Sequence, residues 1–247
     1  MEKSTNPIEE FKKERINRIK KNETNRGLIR SANEFMKESI ISNYSYNFSW
    51  MGIPIIQYPQ DMMSIQEIVW RIKPDLIIET GIAHGGSLVY YASLLEMIGN
   101  GEVLGIDIDI RKHNKKAIEE HPMFKRITMI EGSSVSKEVI EKVKNLAKDK
   151  KKVLICLDSN HTHNHVLEEL KLYSSLVTKG SYLIVYDTVI EDFPEECSKG
   201  RPWGKGRNPK TAVIEFLKIN GDFIVDKDIQ NKLLITVAPG GYLKKIR

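Results

Sequence analysis

The order of hydrophobic and polar positions predicts alternating strands and helices from residue 61 onward. Five apolar runs are predicted to be strands, at 76–79, 103–107, 126–131, 152–158 and 181–187. Such near-continuous runs indicate burial on both faces, as in a mostly parallel sheet covered by helices. Helical spacing predicts the intervening helices, at about 61–72, 87–98, 112–120, 136–147 and 164–177. The pattern is typical of a doubly wound, Rossmann-like α/β fold.

A different pattern follows the fifth strand. After a helix at about 209–219, apolar runs at 223–226 and 233–238 are separated only by a polar turn, which predicts an antiparallel hairpin. A dinucleotide-binding fold normally adds its sixth strand parallel, through another helix. A reversed strand at the edge is the arrangement of class I methyltransferases. We therefore expect that fold, with Asp61 capping the first helix of the domain.

Residues 1–60 are predicted to form an N-terminal helical arm and an aromatic segment, ahead of a main domain at 61–247. Residues 1–43 are charged, with weak apolar stripes, which favours a solvated helical arm packed on this domain or on another subunit. A homo-oligomer is therefore an open possibility, and a nucleic-acid or membrane arm is the alternative. Aromatic residues alternate over 44–50, which predicts an extended segment with one buried face. That segment could instead line a substrate pocket.

Composition excludes several classes of protein. The chain has 247 residues, of which 40% are hydrophobic and 29% are charged, as in ordinary globular proteins. Lys+Arg 38 against Asp+Glu 33 gives a net charge of +5, without the clustering of a dedicated nucleic-acid binder. Two cysteines cannot build a disulfide framework, and no apolar run reaches the ~20 residues of a membrane span. We expect a cytoplasmic protein with no membrane span and no specific nucleic-acid partner.

Polar residues at the strand ends point to a nucleoside cofactor, because ligands of this fold class bind at the carboxyl ends of the strands. The turn after the first strand reads E-T-G-I-A-H-G-G-S and lacks the G-x-G-x-x-G signature of nicotinamide enzymes. Its leading carboxylate would repel phosphates but favour an ammonium or sulfonium group. S-adenosylmethionine carries both groups. The predicted contacts with S-adenosylmethionine are Glu79, Gly81, Ala83, Gly85, Ser87, Asp107 and Ile108 around the ribose and methionine, and Ser133 and Ser134 at the adenine edge.

Asp158 and Asp187 follow the fourth and fifth strands, so their carboxylates are expected to lie side by side where a substrate binds. Hard oxygen ligands of this kind suit Mg²⁺, Mn²⁺ or Ca²⁺, which could orient substrate oxygens and lower the pKa of a hydroxyl. Alternatively, Asp158 caps a helix and Asp187 stabilises a turn. His161, His163 and His165 could form a zinc site, although no zinc motif is present. We favour His161 as a general base near the substrate hydroxyl.

The loop at 197–210 contains five basic residues, three glycines and no acidic residue. A mobile basic lid of this kind fits a phosphorylated or nucleotide-linked substrate, although a solvated loop is the alternative. Within the loop, Trp203 could stack on a sugar or a base.

Spaced motifs over roughly 45–238 resemble the cephalosporin hydroxylase family. They are W-x-G-x-P (50–54), P-x-D (59–61), K-P-D-L-I-I-E-T-G-x-x-x-G-G-S (73–87), G-I-D-I-D (105–109), L-D-S-x-H-T-x-x-H-V-x-x-E-L (157–170), Y-D-T (186–188) and N-P-K-T-A-V-x-E-F-L (208–217). That family has the class I S-adenosylmethionine-dependent methyltransferase fold and includes sugar O-methyltransferases such as rhamnosyl O-methyltransferases. The resemblance implies that the cofactor is held by Glu79, Gly81, Ser87 and Asp107, and Mg²⁺ by Asp158 and Asp187.

One position departs from the family. Members with the metal site carry Glu immediately before the second Asp, whereas this sequence has Tyr186, and a phenol is a poor Mg²⁺ ligand at neutral pH. The metal could be held by Asp158 and Asp187 with waters or Thr188, could bind weakly, or could be lost. Tyr186 could instead act at the catalytic site by bonding the substrate.

The expected function is O-methylation of a polar small molecule, with a sugar or a nucleotide-linked or phosphorylated sugar as the favoured acceptor. His161, Asp158 and Tyr186 are the predicted catalytic residues. The alternatives are a non-catalytic partner protein with the same fold and a nicotinamide-dependent oxidoreductase. Nitrogen as the methyl acceptor stays open.

Overall fold

The computed structural model describes residues 6–247. In these residues the α-helices, α1 to α9 in chain order, are Pro7–Asn22, Arg26–Ile41, Pro59–Ile72, Gly86–Ile98, Lys112–Glu119, Lys137–Ala147, His163–Tyr173, Pro209–Ile219 and Lys227–Leu233. The strands, β1 to β9, are Phe48–Trp50, Ile53–Ile55, Leu76–Thr80, Glu102–Asp107, Ile127–Glu131, Val153–Leu157, Tyr182–Val185, Phe223–Val225 and Tyr242–Lys245. All five strands and six helices predicted between residues 61 and 219 are present.

Seven strands form the central sheet in the order β5-β4-β3-β6-β7-β9-β8. The first five are mutually parallel, whereas β9 runs antiparallel to both β7 and β8. Strand order reverses between β3 and β6, so this is the point at which a crevice opens above the carboxyl ends. The predicted mostly parallel, doubly wound sheet with an antiparallel end is confirmed.

Apolar side chains alternate between the two faces of the sheet and build one hydrophobic layer on each. In β3, Ile77 joins one layer, while Leu76 and Ile78 join the other. Both faces are covered by helices, and every residue of β3 is buried. This double burial explains the near-continuous apolar runs of the strands.

The second strand of the terminal hairpin lies elsewhere than predicted. Residues 227–233 form helix α9, and the strand that pairs with β8 is β9 rather than 233–238. Between them Leu234 has a φ of 60° and begins a segment that crosses the end of the sheet. The apolar side chains of that segment pack into the core, where Ala238 is fully buried, without joining a ladder. Residues 233–238 are apolar because this crossing segment is buried. The pattern of apolar residues alone does not distinguish such a segment from a strand.

The predicted cap role of Asp61 is wrong. Helix α3 begins at Pro59, and the Asp61 side chain is completely buried inside its first turn. Its carboxylate accepts hydrogen bonds from Thr236 Oγ1 (2.5 Å), Tyr242 OH (2.7 Å) and Val237 N (3.0 Å). Burial raises the pKa of Asp61 to about 6. Asp61 therefore fastens the crossing segment to α3.

The aromatic segment is only partly extended. Residues Tyr44–Asn47 form a 3₁₀ turn, in which Tyr46 is exposed, and the strand pair β1–β2 follows. This hairpin packs on α4, since a Cβ at Gly86 would lie 2.3 Å from the Pro54 carbonyl oxygen. Trp50 Nε1 donates to Ser93 Oγ on the same helix (3.0 Å). The aromatic side chains of the hairpin, Phe48 and Trp50, are therefore half-buried and pack against the core.

The N-terminal arm consists of α1 and α2. No residue of α1 is buried, whereas α2 buries its face at Ala32, Met36 and Ser39. The suggested boundary between residues 60 and 61 falls within the first turn of α3, and the division into two units stays a prediction. Among residues 6–247, no helix combines the length and the apolar character needed to cross a membrane.

Candidate active site

The loop between β3 and α4 is held against the end of β6. Gly81 has a φ of 91°, and a Cβ there would lie 2.1 Å from the Asp158 carbonyl oxygen, so only glycine fits. At Gly85, with a φ of 89°, a Cβ would lie 2.3 Å from the Ile118 side chain. The two strand ends at the switch point therefore meet, and the predicted cofactor loop lies directly beside Asp158.

Asp107, at the end of β4, anchors this loop. Its Oδ2 accepts hydrogen bonds from the backbone amides of Ile82 (2.7 Å) and Ala83 (3.3 Å). Ala83 and Ile108 are exposed at the mouth of the crevice. The predicted ribose-binding carboxylate thus also fixes the turn expected to face the cofactor. Its role in binding ribose stays a prediction.

Glu79 lies beneath the loop rather than at its surface. Its side chain is completely buried and accepts hydrogen bonds from Ser87 Oγ (2.5 Å) and Tyr91 OH (2.9 Å). Burial raises the pKa of Glu79 to about 8, so the side chain retains a proton at neutral pH. Both oxygens are used inside the fold, and a contact of Glu79 or Ser87 with the cofactor stays a prediction.

Three side chains converge at the carboxyl ends of β6 and β7. One ligand atom each of Asp158, His161 and Asp187 lies within 4.8 Å of the others, and His161 Nε2 is 3.1 Å from Asp187 Oδ2. Gln57 Nε2 donates to Asp158 Oδ2 (3.3 Å). Burial and the neighbouring Asp187 raise the pKa of Asp158. Two carboxylates and an imidazole form a donor set that fits a divalent cation such as Mg²⁺ or Mn²⁺. We call these three residues the acidic triad.

Asp187 is held in a left-handed conformation, with a φ of 55°. The crossing segment fixes the residues that follow it: Val189 N donates to Val237 O (3.1 Å), and Thr188 Oγ1 donates to Pro239 O (3.0 Å). Thr188 is fully buried and its hydroxyl is used in this bond, which does not favour the alternative in which it binds the metal.

Tyr186 lies in the hydrophobic core rather than at the crevice. Its side chain is 1% exposed and lies in the same hydrophobic layer as Tyr91 and Ile184. Strand alternation continues one residue beyond β7, which turns the ring of Tyr186 into the core and leaves Asp187 at the edge. Burial raises the pKa of the Tyr186 phenol far above its usual range. This placement does not favour a contact of Tyr186 with the substrate, and its catalytic role stays an untested prediction.

The remaining histidines have separate surroundings. His163 Nδ1 bonds Thr211 Oγ1 (2.8 Å) on α8, whereas His165 Nε2 bonds Ser134 Oγ (3.0 Å) near the end of β5. The three histidines do not converge, so the zinc interpretation is wrong. Ser134 is buried and Ser133 is partly exposed, which leaves their predicted contact with adenine as a prediction.

The basic loop covers the acidic triad. The edge of Trp203 packs against the His161 ring, with centroids 4.9 Å apart, and the Arg201 guanidinium lies 5.5 Å from the Trp203 ring centroid. Glu191 fixes the loop by accepting from Gly206 N (2.7 Å). Sequence reasoning missed Gln57, which stands in an unremarkable segment before Pro59 and carries no motif signal.

Comparisons with known proteins agree on one family. The family model described as Rhamnosyl O-methyltransferase/CmcI matches residues 42–246. Rhamnosyl O-methyltransferase of Mycobacterium tuberculosis (strain ATCC 25618 / H37Rv) is 33% identical over 198 residues, covering 79% of this chain and 77% of that protein. The Mycobacterium leprae (strain TN) protein of that name is 29% identical over 225 residues, covering 88% and 93%. A solved apo structure of CmcI is similar in fold, with a TM-score of 0.57, 19% identity and coverage of 82% of this chain and 77% of that chain.

Proposed function

Because this chain belongs to the rhamnosyl O-methyltransferase/CmcI family, we propose that it methylates a hydroxyl group of a sugar-like acceptor with the aid of a divalent metal. Its class is that of S-adenosylmethionine-dependent O-methyltransferases. The observation that carries the finer proposal is the acidic triad, which lies beside the predicted cofactor loop and under the basic loop.

S-adenosylmethionine would bind across the carboxyl ends of β3, β4 and β5. Asp107 would receive the ribose hydroxyls, and the exposed backbone at Ala83 would face the ligand. Ser133 and Ser134 would line the adenine edge. The chain's own contribution to rate is positioning, because methyl transfer needs in-line approach of the acceptor oxygen to the sulfonium methyl group.

Asp158 and Asp187 would hold the metal, and the donor chemistry of this pair supports Mg²⁺ or Mn²⁺. A relative in fold, CmcI, has a solved structure described as Mg-SAM. When bound, such an ion orients acceptor oxygens and favours loss of the hydroxyl proton. Asp158 also keeps its hydrogen bond from Gln57, which fixes the orientation of the carboxylate.

His161 would accept the proton of the acceptor hydroxyl. Imidazole is the most common general base in proteins, and the Asp187 carboxylate lies 3.1 Å from His161 Nε2, where it can orient the ring. His161→Ala should therefore lower kcat by about 10²–10⁴-fold while Mn²⁺ still binds. A parallel loss of Mn²⁺ affinity would instead make His161 a metal ligand.

Trp203 and the basic loop would bind the acceptor. The indole lies at the triad, where a flat apolar ring can stack on a sugar face, and Arg201 beside it can pair with an anionic group. These contacts support a sugar that carries a phosphate or nucleotide.

The test is calorimetric titration of S-adenosylhomocysteine in excess Mg²⁺ and in EDTA, followed by methyl-transfer assays with nucleotide-linked sugars. We expect micromolar binding, and activity that EDTA removes and Mn²⁺ restores. Failure to bind S-adenosylhomocysteine in both buffers would overturn the proposal, and activity unchanged by EDTA would overturn its metal component.

A further inference from the structure

A polar cluster lies next to the acidic triad, and the proposed cofactor and metal contacts leave most of it unexplained. Its members are Ser134, Ser159, His165 and Glu169. Glu169 is fully buried, and its Oε2 has no hydrogen-bond partner among residues 6–247. An incompletely satisfied buried carboxyl group costs stability. The group lies in the same L-D-S-x-H-T-x-x-H-V-x-x-E-L segment as Asp158 and His161 of the acidic triad.

His165 has more partners than one ring nitrogen can satisfy. Its Nε2 lies 3.0 Å from Ser134 Oγ, 3.3 Å from Ser159 Oγ and 3.4 Å from Glu169 Oε1. An imidazole nitrogen makes one hydrogen bond at a time, as donor or as acceptor. His165 therefore bonds either Ser134 or one member of the pair formed by Ser159 and Glu169, in which Ser159 Oγ donates to Glu169 Oε1 (2.7 Å).

The two serine partners stand in two different loops, whereas Glu169 lies on helix α7 with His165 itself. Ser134 stands after β5 on the adenine side, where Tyr173 OH donates to its carbonyl oxygen (2.8 Å). Ser159 directly follows Asp158 of the acidic triad. A cofactor that takes the hydrogen bond of the Ser134 hydroxyl releases His165 Nε2 toward Ser159 and Glu169. Completing that bond fixes the backbone next to Asp158.

We infer that His165 is a positioning residue that couples cofactor binding to metal binding, with Ser159 and Glu169 as its partners on the metal side. The inference rests on the proposed function, because it takes Ser134 as a cofactor contact and Asp158 as a metal ligand. Coupling of two equilibria is reciprocal. Each ligand should therefore strengthen binding of the other by the same factor.

The experiment measures that factor in both directions. S-adenosylhomocysteine is titrated with and without Mn²⁺, and Mn²⁺ with and without S-adenosylhomocysteine. Wild-type protein should give a factor of at least about five, and His165→Ala should bring it close to one. His163→Ala is the matched control: the same substitution two residues away, where the imidazole bonds Thr211 (2.8 Å) and approaches Glu215 (3.2 Å). It should retain the wild-type factor.

The outcomes separate this inference from the proposed function. A wild-type factor of one, or equal factors in the His165→Ala and His163→Ala variants, overturns the coupling while leaving both binding sites in place. Wild-type protein that binds no S-adenosylhomocysteine overturns the cofactor assignment itself, and absence of Mn²⁺ binding overturns the metal site and the coupling together. Should His165→Ala fail to fold, Ser159→Ala removes a single hydroxyl and is expected to lower the factor in the same direction.

Discussion

Carboxylates at the two ends of the central sheet differ in how many hydrogen-bond donors surround them. At the amino end, Asp75 accepts hydrogen bonds from Lys151 N (2.9 Å), Lys152 N (3.0 Å) and Asn100 Nδ2 (3.1 Å). At the carboxyl end, Asp158 and Asp187 face each other with few donors, and burial raises the pKa of Asp158. A carboxylate surrounded by donors stabilises the fold, whereas carboxylates that face one another need a cation or a proton. The comparison identifies the carboxyl end as the functional edge.

The largest effect is expected from substitution of Gly81, at the carboxyl end of the sheet, and Gly180 at the amino end serves as its control. Gly81→Ala places a Cβ 2.1 Å from the backbone of Asp158 at a φ of 91°. We expect a loss of at least about 3 kcal/mol of unfolding free energy and of cofactor binding. Gly180, near the amino end of β7, has a φ of 83° with nothing within 4 Å of an added Cβ. Gly180→Ala should therefore cost only about 1–2 kcal/mol. Chemical denaturation measures both, and equal losses would contradict the close approach.

Substitution of one carboxylate at each end should separate activity from stability. Asp158→Asn should lower activity more than about 100-fold, since even outer partners of a metal site cost 10–100-fold. It should leave the unfolding temperature unchanged or raised, because it removes repulsion from Asp187. Asp75→Asn should lower unfolding free energy by about 1–3 kcal/mol and leave kcat unchanged. A marked fall in unfolding temperature for Asp158→Asn would contradict the contrast between the two ends.

The pH dependence of stability tests the buried Glu79. Its folded-state pKa of about 8 exceeds the ordinary value of 4.5, so the folded state binds the extra proton. The resulting stabilisation is complete below about pH 4.5 and is lost as pH rises through 8, by at most about 1.4 kcal/mol per pH unit. Glu79→Gln removes this titration. The difference between wild-type and variant unfolding free energies should change steadily over that window, and parallel curves would show that Glu79 is ionised in the fold.

The smallest effect is expected at Tyr186, which stands beside the acidic triad in sequence but within the core in space. Tyr186→Phe keeps the ring and removes only the hydroxyl. We expect kcat within about twofold of wild type and a stability change within about 1 kcal/mol. A steady-state assay checks this. A large loss of kcat with an unchanged unfolding temperature would show that the Tyr186 hydroxyl takes part in catalysis.

The sequence predicted the parallel core because the central strands β3, β6 and β7 are buried along their whole length and therefore read as continuous apolar runs. It also predicted the meeting of Asp158 with Asp187, since both follow adjacent strands. Residues 233–238 were misassigned because a short apolar run has the same composition in a strand and in a buried crossing segment. The role of Asp61 was also missed, because its hydrogen-bond partners lie more than 170 positions away along the chain and local sequence does not reveal them.

Two further features of the site depend on orientation, which spacing does not encode. Whether Tyr186 or Asp187 faces the crevice is decided by a single step of strand alternation. Helix α7 begins at His163. His161 precedes the helix and lies beside the two carboxylates, whereas His163 and His165 lie on the helix and contact other residues. Gln57, which lies between β2 and α3, donates to Asp158 across 101 positions of the chain, a contact that local sequence does not encode.

The position of β9 has a consequence for how the enzyme becomes active during synthesis. This strand follows every other strand along the chain, yet it inserts between β7 and β8. A nascent polypeptide that has emerged only as far as β8 therefore leaves the edge of β7 open, a surface prone to pairing with other chains. The segment preceding β9 also holds the residues after Asp187. We therefore expect a chain truncated before β9 to lose methyl transfer and to aggregate more readily than the full chain.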